Sequence, residues 1–185
     1  MPPNRRRADA ADNRARIIRV AGEVLGGGGE IRLNAIAKQA GVGQGTLYRH
    51  FPTREDLLSE VYRADVEALV AAAPALLAEH DPATALARWF DRLVEYARVK
   101  RGVLAAVEAA VWQDLSAHSL GPMGKALTTL LDAGKAAGVV RPDVDARDIT
   151  LLVGYLTRLE EDEWDARARH VLTIVLDGLR VVPAQ

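Results

Sequence analysis

The chain has no cysteine. That excludes a disulfide framework, a thiolate metal site and a cysteine nucleophile together. Aromatic residues make up 5% of it, so each one carries weight wherever it falls. No apolar run approaches the roughly 20 residues needed to span a bilayer. The N-terminal arginines are not followed by the apolar stretch of a secretory signal. The expected address is the cytoplasm, with no membrane partner. The four histidines, His50, His80, His118 and His170, form no HExxH or i, i+4 pair. A zinc site would therefore need carboxylates converging from distant segments. Asp114 and His118 stand four apart, but such a pair is more often a surface hydrogen bond than a ligand pair. The acidic run Glu160, Glu161, Asp162, Glu163 and Asp165 reads as a solvated turn and helix start. The glycine run 26–29 has no Lys-Ser/Thr pair after it and no strand before it, so it reads as a helix stop rather than a phosphate loop. No catalytic constellation, metal site or cofactor is expected, and the chain reads as a non-enzyme.

What is present is helical and unevenly charged. At 185 residues, one or two domains fit. Net charge is −1 overall, but residues 1–63 carry +4 and residues 64–185 carry −5. The asymmetry puts a polyanion's partner surface on the N-terminal third.

Apolar periodicity predicts a first helix carrying Ile17, Val20, Ala21, Val24 and Leu25. Two short helices follow, over 33–40 and 44–51, the second closed by Pro52. Thr53 with Asp56 predicts a capping box opening a fourth, which carries Leu57, Leu58, Val61, Tyr62 and Leu69 until Pro74 kinks or ends it. Asp81-Pro82 opens a helix with Leu86, Trp89, Phe90, Leu93 and Ala97 on one face, stopped at Gly102. Val103–Val111 and Met123–Leu131 mark two more. Asp145 with Asp148 starts a helix to about Leu159, and Asp162 caps a last one to about Val181. The result is all-α, about nine helices and no strand.

Residues Ala37–Arg54 read AKQAGVGQGTLYRHFPTR. Ala37, Gly41 and Leu47 stand at the spacing of a helix-turn-helix. A small residue allows a close helix crossing, a glycine allows positive φ at the turn, and a leucine anchors the second helix. That leaves Gln44, Thr46, Tyr48, Arg49 and His50 on or near the other face, open to DNA.

This stretch, above all GTLYRHF followed by an acidic, leucine-rich helix start, resembles the tetracycline-repressor (TetR) family of bacterial regulators. The resemblance runs from about Asp12 to Leu69. It implies a three-helix DNA-binding domain over 1–56 and a regulatory, ligand-binding and dimerisation domain over 57–185. By the family pattern Gln44 and Thr46 look like base-edge readers, since Gln pairs with adenine and Thr meets the thymine methyl. Gly45 permits close approach. Tyr48, His50 and Arg54 resemble phosphate contacts. Arg49 could reach guanine or phosphate, and Asn34 a base edge. Two family caps are missing: Arg32 stands where Ser or Thr usually caps the second helix, with a phosphate contact kept or strengthened, and Gly43 replaces the cap of the third. Arg5, Arg6 and Arg7 fit a minor-groove arm or a solvated tail within a flexible 1–9 segment equally well.

Beyond Leu69 the resemblance implies helix number and dimer logic only. Trp89, Arg92, Tyr96, Glu108, Trp112, His118, Met123 and Tyr155 are candidates for an effector pocket, although any one aromatic among them could simply fill the core. The last two helices carry more than one apolar stripe, which implies burial on two sides. Leu152, Leu156, Leu172, Leu176 and Leu179 are therefore candidates for a homodimer bundle, and a central core helix would show the same pattern. The expectation is a ligand-responsive repressor, homodimeric on a palindromic DNA operator, with an unidentified small-molecule effector. The alternatives are a regulator that activates or lacks an effector, and a helical ligand-binding protein or enzyme with a vestigial helix-turn-helix.

Overall fold

The computed structural model describes residues 3–181, with side chains from Asp9 onward except at positions 161 and 165. The elements are α1 (Pro3–Gly26), α2 (Leu33–Gln39), α3 (Gln44–His50), α4 (Arg54–Glu79), α5 (Pro82–Leu104), α6 (Ala109–Ala136), α7 (Ala146–Val153), a 3-10 helix over Gly154–Arg158, and α8 (Glu161–Leu179). Among the described residues the fold is all-helical, and extended pairing is limited to one bridge between Val140 and Arg180.

Local chemistry sets most boundaries. Gly28 at φ 75° and Gly41 at φ 64° take the left-handed conformation that closes α1 and turns α2 into α3. At α4 the Thr53 hydroxyl accepts from the Asp56 amide at 3.1 Å while Asp56 accepts from the Thr53 amide at 3.0 Å. Asp81 accepts from the amides of Ala83 and Thr84 at the start of α5. Asp145 and Asp148 form a complete capping box on α7. All three caps follow the sequence signatures.

Other boundaries differ. Gly102 does not stop α5, because a Cβ there would stand 2.9 Å from Leu25 Cδ2; the glycine serves close packing against α1. The break comes instead at 105–108, and α6 then runs unbroken through Pro122. Likewise α4 runs through Pro74 to Glu79. A proline forfeits one backbone hydrogen bond, and burial of Ala72, Ala73 and Leu76 beside Pro74 outweighs that loss. The helix from Asp145 tightens to 3-10 geometry at Gly154 rather than continuing to Leu159. Glu160, not Asp162, stands at the N-cap of α8, with no side-chain cap. The backbone of Arg5, Arg6 and Arg7 belongs to α1; their side chains lie outside the described residues.

Packing divides the chain into two compact units, Met1–Asp65 with Val99–Leu115, and Val66–Arg98 with Ser116–Gln185. These do not follow the functional boundary drawn at residue 56. In the first unit α1, α2 and α3 contact one another around Ile17, Ala21, Ile36, Ala37, Leu47 and Phe51, each no more than 2% exposed. Burying each large aliphatic side chain contributes about 1.5–3 kcal/mol. The second unit is built on Leu69, Trp89, Phe90, Leu130, Leu131, Ile149, Leu156 and Leu172. The Trp89 indole N–H donates to the Leu69 carbonyl at 2.9 Å, so its one polar atom is satisfied.

Candidate nucleic-acid interface

The interface is built around a seven-residue helix, α3, anchored by one side chain. Leu47 is 0% exposed, whereas Gln44, Gly45, Tyr48 and Arg49 face solvent and Thr46 and His50 are partly exposed. The pattern follows from the 3.6-residue period, which turns one face of a two-turn helix inward. Phe51, just past the helix, is 1% exposed and lies under the Arg14 guanidinium, 5.4 Å from its ring centroid. Arg14 also pairs with Glu60, which binds Arg63 at 2.9 Å. The network ties α1 to α4, with Phe51 beneath its Arg14. Burial alone would raise the Glu60 carboxyl, but hydrogen bonds and charge from Arg14 and Arg63 prevail and hold it below the usual glutamate range.

Neither short helix has a side-chain cap. Arg32 and Gly43 occupy the N-cap positions of α2 and α3, as their identities imply. The uncapped amides of α3 point out of its exposed N-terminus, which suits a negatively charged partner. Arg32 is held by Glu30 at 3.2 Å. Asn34 is exposed on the first turn of α2. Arg54 starts α4 beside the Thr53–Asp56 capping box, and its buried Nε has no hydrogen-bond partner. Arg49 lies back along α3, donating from Nε to the Gly45 carbonyl at 3.0 Å and from Nη2 to the Thr46 hydroxyl at 3.3 Å. All nine sequence candidates for DNA contact belong to one compact unit. The Arg14–Glu60–Arg63 network went unforeseen, because two of its partners stand 46 residues apart and share no local motif.

The effector candidates are dispersed. Glu108 and Trp112 belong to the first unit, and Trp89, Arg92, Tyr96, His118, Met123 and Tyr155 to the second. Trp89 and Tyr96 are 1% and 5% exposed, core residues of their unit. Arg92, Glu108 and His118 are exposed, and Met123 is partly so. The Tyr155 hydroxyl is buried without a partner, and burial raises it above the ordinary tyrosine range. Trp112 meets Tyr62 edge-on at 5.3 Å and carries the Lys100 ammonium 5.4 Å over its ring. Burial holds that ammonium below the ordinary lysine range. A cavity of about 70 Å³ in the second unit is lined by Ala83, Leu86, Ala87, Val139, Val140, Leu176, Leu179 and Arg180, none of them an effector candidate. It is far below the several hundred Å³ that an organic ligand occupies.

The dimer candidates divide by their exposure. Leu156, Leu172 and Leu179 are 1%, 3% and 3% exposed, seated in the core of their own unit. Leu152 is 54% exposed, and beside it in sequence or on α8 stand Leu151 at 62% and Ile174 at 56%. Leu176 is half-buried. Two stripes were legible on these helices; which one faced inward was not, because period alone carries no direction.

The chain matches known proteins along most of its length. Residues 17–61 match the family model for bacterial regulatory proteins, tetR family. Residues 81–181 match that for the transcriptional regulator SbtR-like, C-terminal domain. It is similar to a TetR transcriptional regulator from Streptomyces coelicolor, 39% identical with TM-score 0.78, over 90% of this chain and 98% of that one. It is also similar to a TetR transcription regulatory protein from Mycobacterium vanbaalenii, 36% identical with TM-score 0.74, over 95% of this chain and 99% of that one. An HTH-type transcriptional regulator of Staphylococcus aureus strain USA300 is 41% identical over 66 residues. That match spans 35% of this chain and 36% of the relative's own length.

Proposed function

The chain belongs to the TetR family of bacterial transcriptional regulators, and from that premise we propose that it is a homodimeric repressor, released from a palindromic operator by a small-molecule effector. The observation that carries the DNA part is α3 itself. It buries Leu47 completely and turns Gln44, Gly45, Tyr48 and Arg49 outward. Gln44 and Thr46 read base edges in the major groove. Tyr48, His50, Arg32 and Arg54 hold phosphates and fix register. Asn34 adds a polar contact from α2. Arg54 is partly exposed in the first turn of α4, where a guanidinium can meet a phosphate oxygen.

The dimer forms through α7 and α8, on the exposed side chains Leu151, Leu152 and Ile174 with Leu176 at the margin. Exposed apolar side chains on both α7 and α8 mark an interaction surface. A dimer on a palindromic site presents two copies of α3 to successive major grooves, about 34–36 Å apart. The effector works by preferring the conformation that does not fit DNA. Met123 and Tyr155, each partly exposed, are candidate contacts in the second unit, where Arg92 and His118 offer polar groups. The protein acts in the cytoplasm. No helix among the described residues is long and apolar enough to cross a membrane.

Retention of genomic fragments by the chain, against excess random duplex, tests this reading. The expected result is a small set of fragments sharing an inverted repeat. Retention proportional to fragment length alone would contradict it.

A further inference from the structure

We propose that Arg49 reads a guanine in each half-site and so sets part of the operator sequence. The inference rests on the reading that α3 enters the major groove.

An exposed arginine ordinarily samples many rotamers. Arg49 is exposed yet tethered twice to its own helix, through Nε to the Gly45 carbonyl at 3.0 Å and through Nη2 to the Thr46 hydroxyl at 3.3 Å. Those two donors are the side-on pair of the guanidinium. The end-on pair, one N–H from each terminal nitrogen, is left parallel and open. That fork matches the O6 and N7 acceptors of guanine, the commonest specific contact of arginine with DNA. Elsewhere in the same unit Arg14 and Arg63 are paired with Glu60, Arg19 with Glu23, and Arg32 with Glu30. Among the described residues no carboxylate pairs with Arg49.

Position distinguishes a base from a phosphate. Arg49 stands in the last turn of α3, but its tethers draw the guanidinium back to Gly45 and Thr46, in the first turn. The first turn of a recognition helix is the part that meets base edges. Gly45 keeps the approach open there, since a Cβ added to it would meet nothing within 4 Å. Its missing side chain is not a packing requirement. The tethers also remove rotameric freedom before binding, so less entropy is lost on contact.

The test is selection of the full chain against a randomised duplex pool, in parallel with Arg49→Ala and Arg54→Ala. The wild type is expected to enrich an inverted repeat with one fixed G·C pair per half. Arg49→Ala is expected to accept any base at that pair while keeping the rest of the repeat, with affinity for the original site reduced about five- to hundred-fold. Arg54→Ala is expected to keep the guanine and lose affinity on all sequences. Arg49 is exposed, and an unchanged melting curve for Arg49→Ala establishes that the fold is intact. If Arg49→Ala keeps the guanine preference and instead loses affinity evenly, with a salt slope smaller by about one ion, Arg49 is a phosphate contact and the proposal is overturned. An unchanged site and affinity overturns it as well. If the wild type enriches no sequence, the DNA reading itself fails, and with it any guanine reader.

Discussion

At the level of single residues, Arg54 and Glu60 put the same charge chemistry to two tests, one of DNA binding and one of stability. Arg54 carries a buried donor that the protein leaves unpaired. Its replacement by alanine is expected to weaken binding to specific and random duplexes alike, with the salt slope falling by about one ion in a binding isotherm series. Glu60 is satisfied from both sides by Arg14 and Arg63. Its folded carboxyl titrates below the unfolded value, so its contribution is whole at neutral pH and is lost as pH falls through the folded value. Glu60→Gln is expected to cost about 0.5–1 kcal/mol at pH 7 in urea unfolding, and the gap to wild type should vanish on acidification below the carboxylate range. A gap that persists once the folded carboxyl is protonated would mean the network stabilises by packing alone. Residue identity announced such roles unevenly. Thr53 and Asp56, Asp81, and Asp145 with Asp148 cap helices through partners two or three residues away, so their pattern was readable. Arg14 finds Glu60 across 46 residues, and nothing local encodes that meeting.

Helices and turns were legible wherever a local rule sufficed and illegible where tertiary packing overrode it. Gly41 and Gly28 end helices because positive φ suits them. Gly102 sits inside α5 because Leu25 packs where its side chain would be. Gly134 makes the same point in the second unit. A Cβ there would stand 2.4 Å from Val140 Cγ2 and 3.1 Å from Val140 Cβ, a branched side chain with little room to turn. Gly134→Ala, although it favours helix by propensity, is therefore expected to destabilise the fold by about 1–3 kcal/mol in equilibrium unfolding. A gain in stability would show that the Val140–Arg180 bridge shifts at no cost. Lys100 is the reverse case, a charge that burial opposes. Burial disfavours its ammonium, and the Trp112 ring is its described contact. Lys100→Met keeps the stem and removes the desolvation penalty, so melting temperature is expected to hold or rise. A clear fall would make the cation–ring contact a net stabiliser of the α5–α6 turn.

For the whole molecule, the charge asymmetry between residues 1–63 and 64–185 and the Ala37–Arg54 motif already separated a DNA-facing part from the rest. The proposed dimer surface was legible only as a surplus of apolar stripes, because the choice between Leu172 and Ile174 as the outward residue depends on how α8 is rotated in its own core. Exposure now points to Leu151, Leu152 and Ile174. The double variant Leu152→Glu, Ile174→Glu is expected to sediment as a monomer and to lose operator affinity, since one half-site supplies too few contacts; a variant that stays dimeric would move the interface elsewhere. The claim that α3 reads DNA sequence is tested most directly by footprinting wild type and Gln44→Ala on the DNA flanking the coding region. Wild type is expected to protect two half-sites about one helical turn apart, and Gln44→Ala to lose that protection by about five- to hundred-fold in concentration while binding random duplex as before. Protection that Gln44→Ala leaves unchanged, or loses in equal proportion on every sequence, would contradict it.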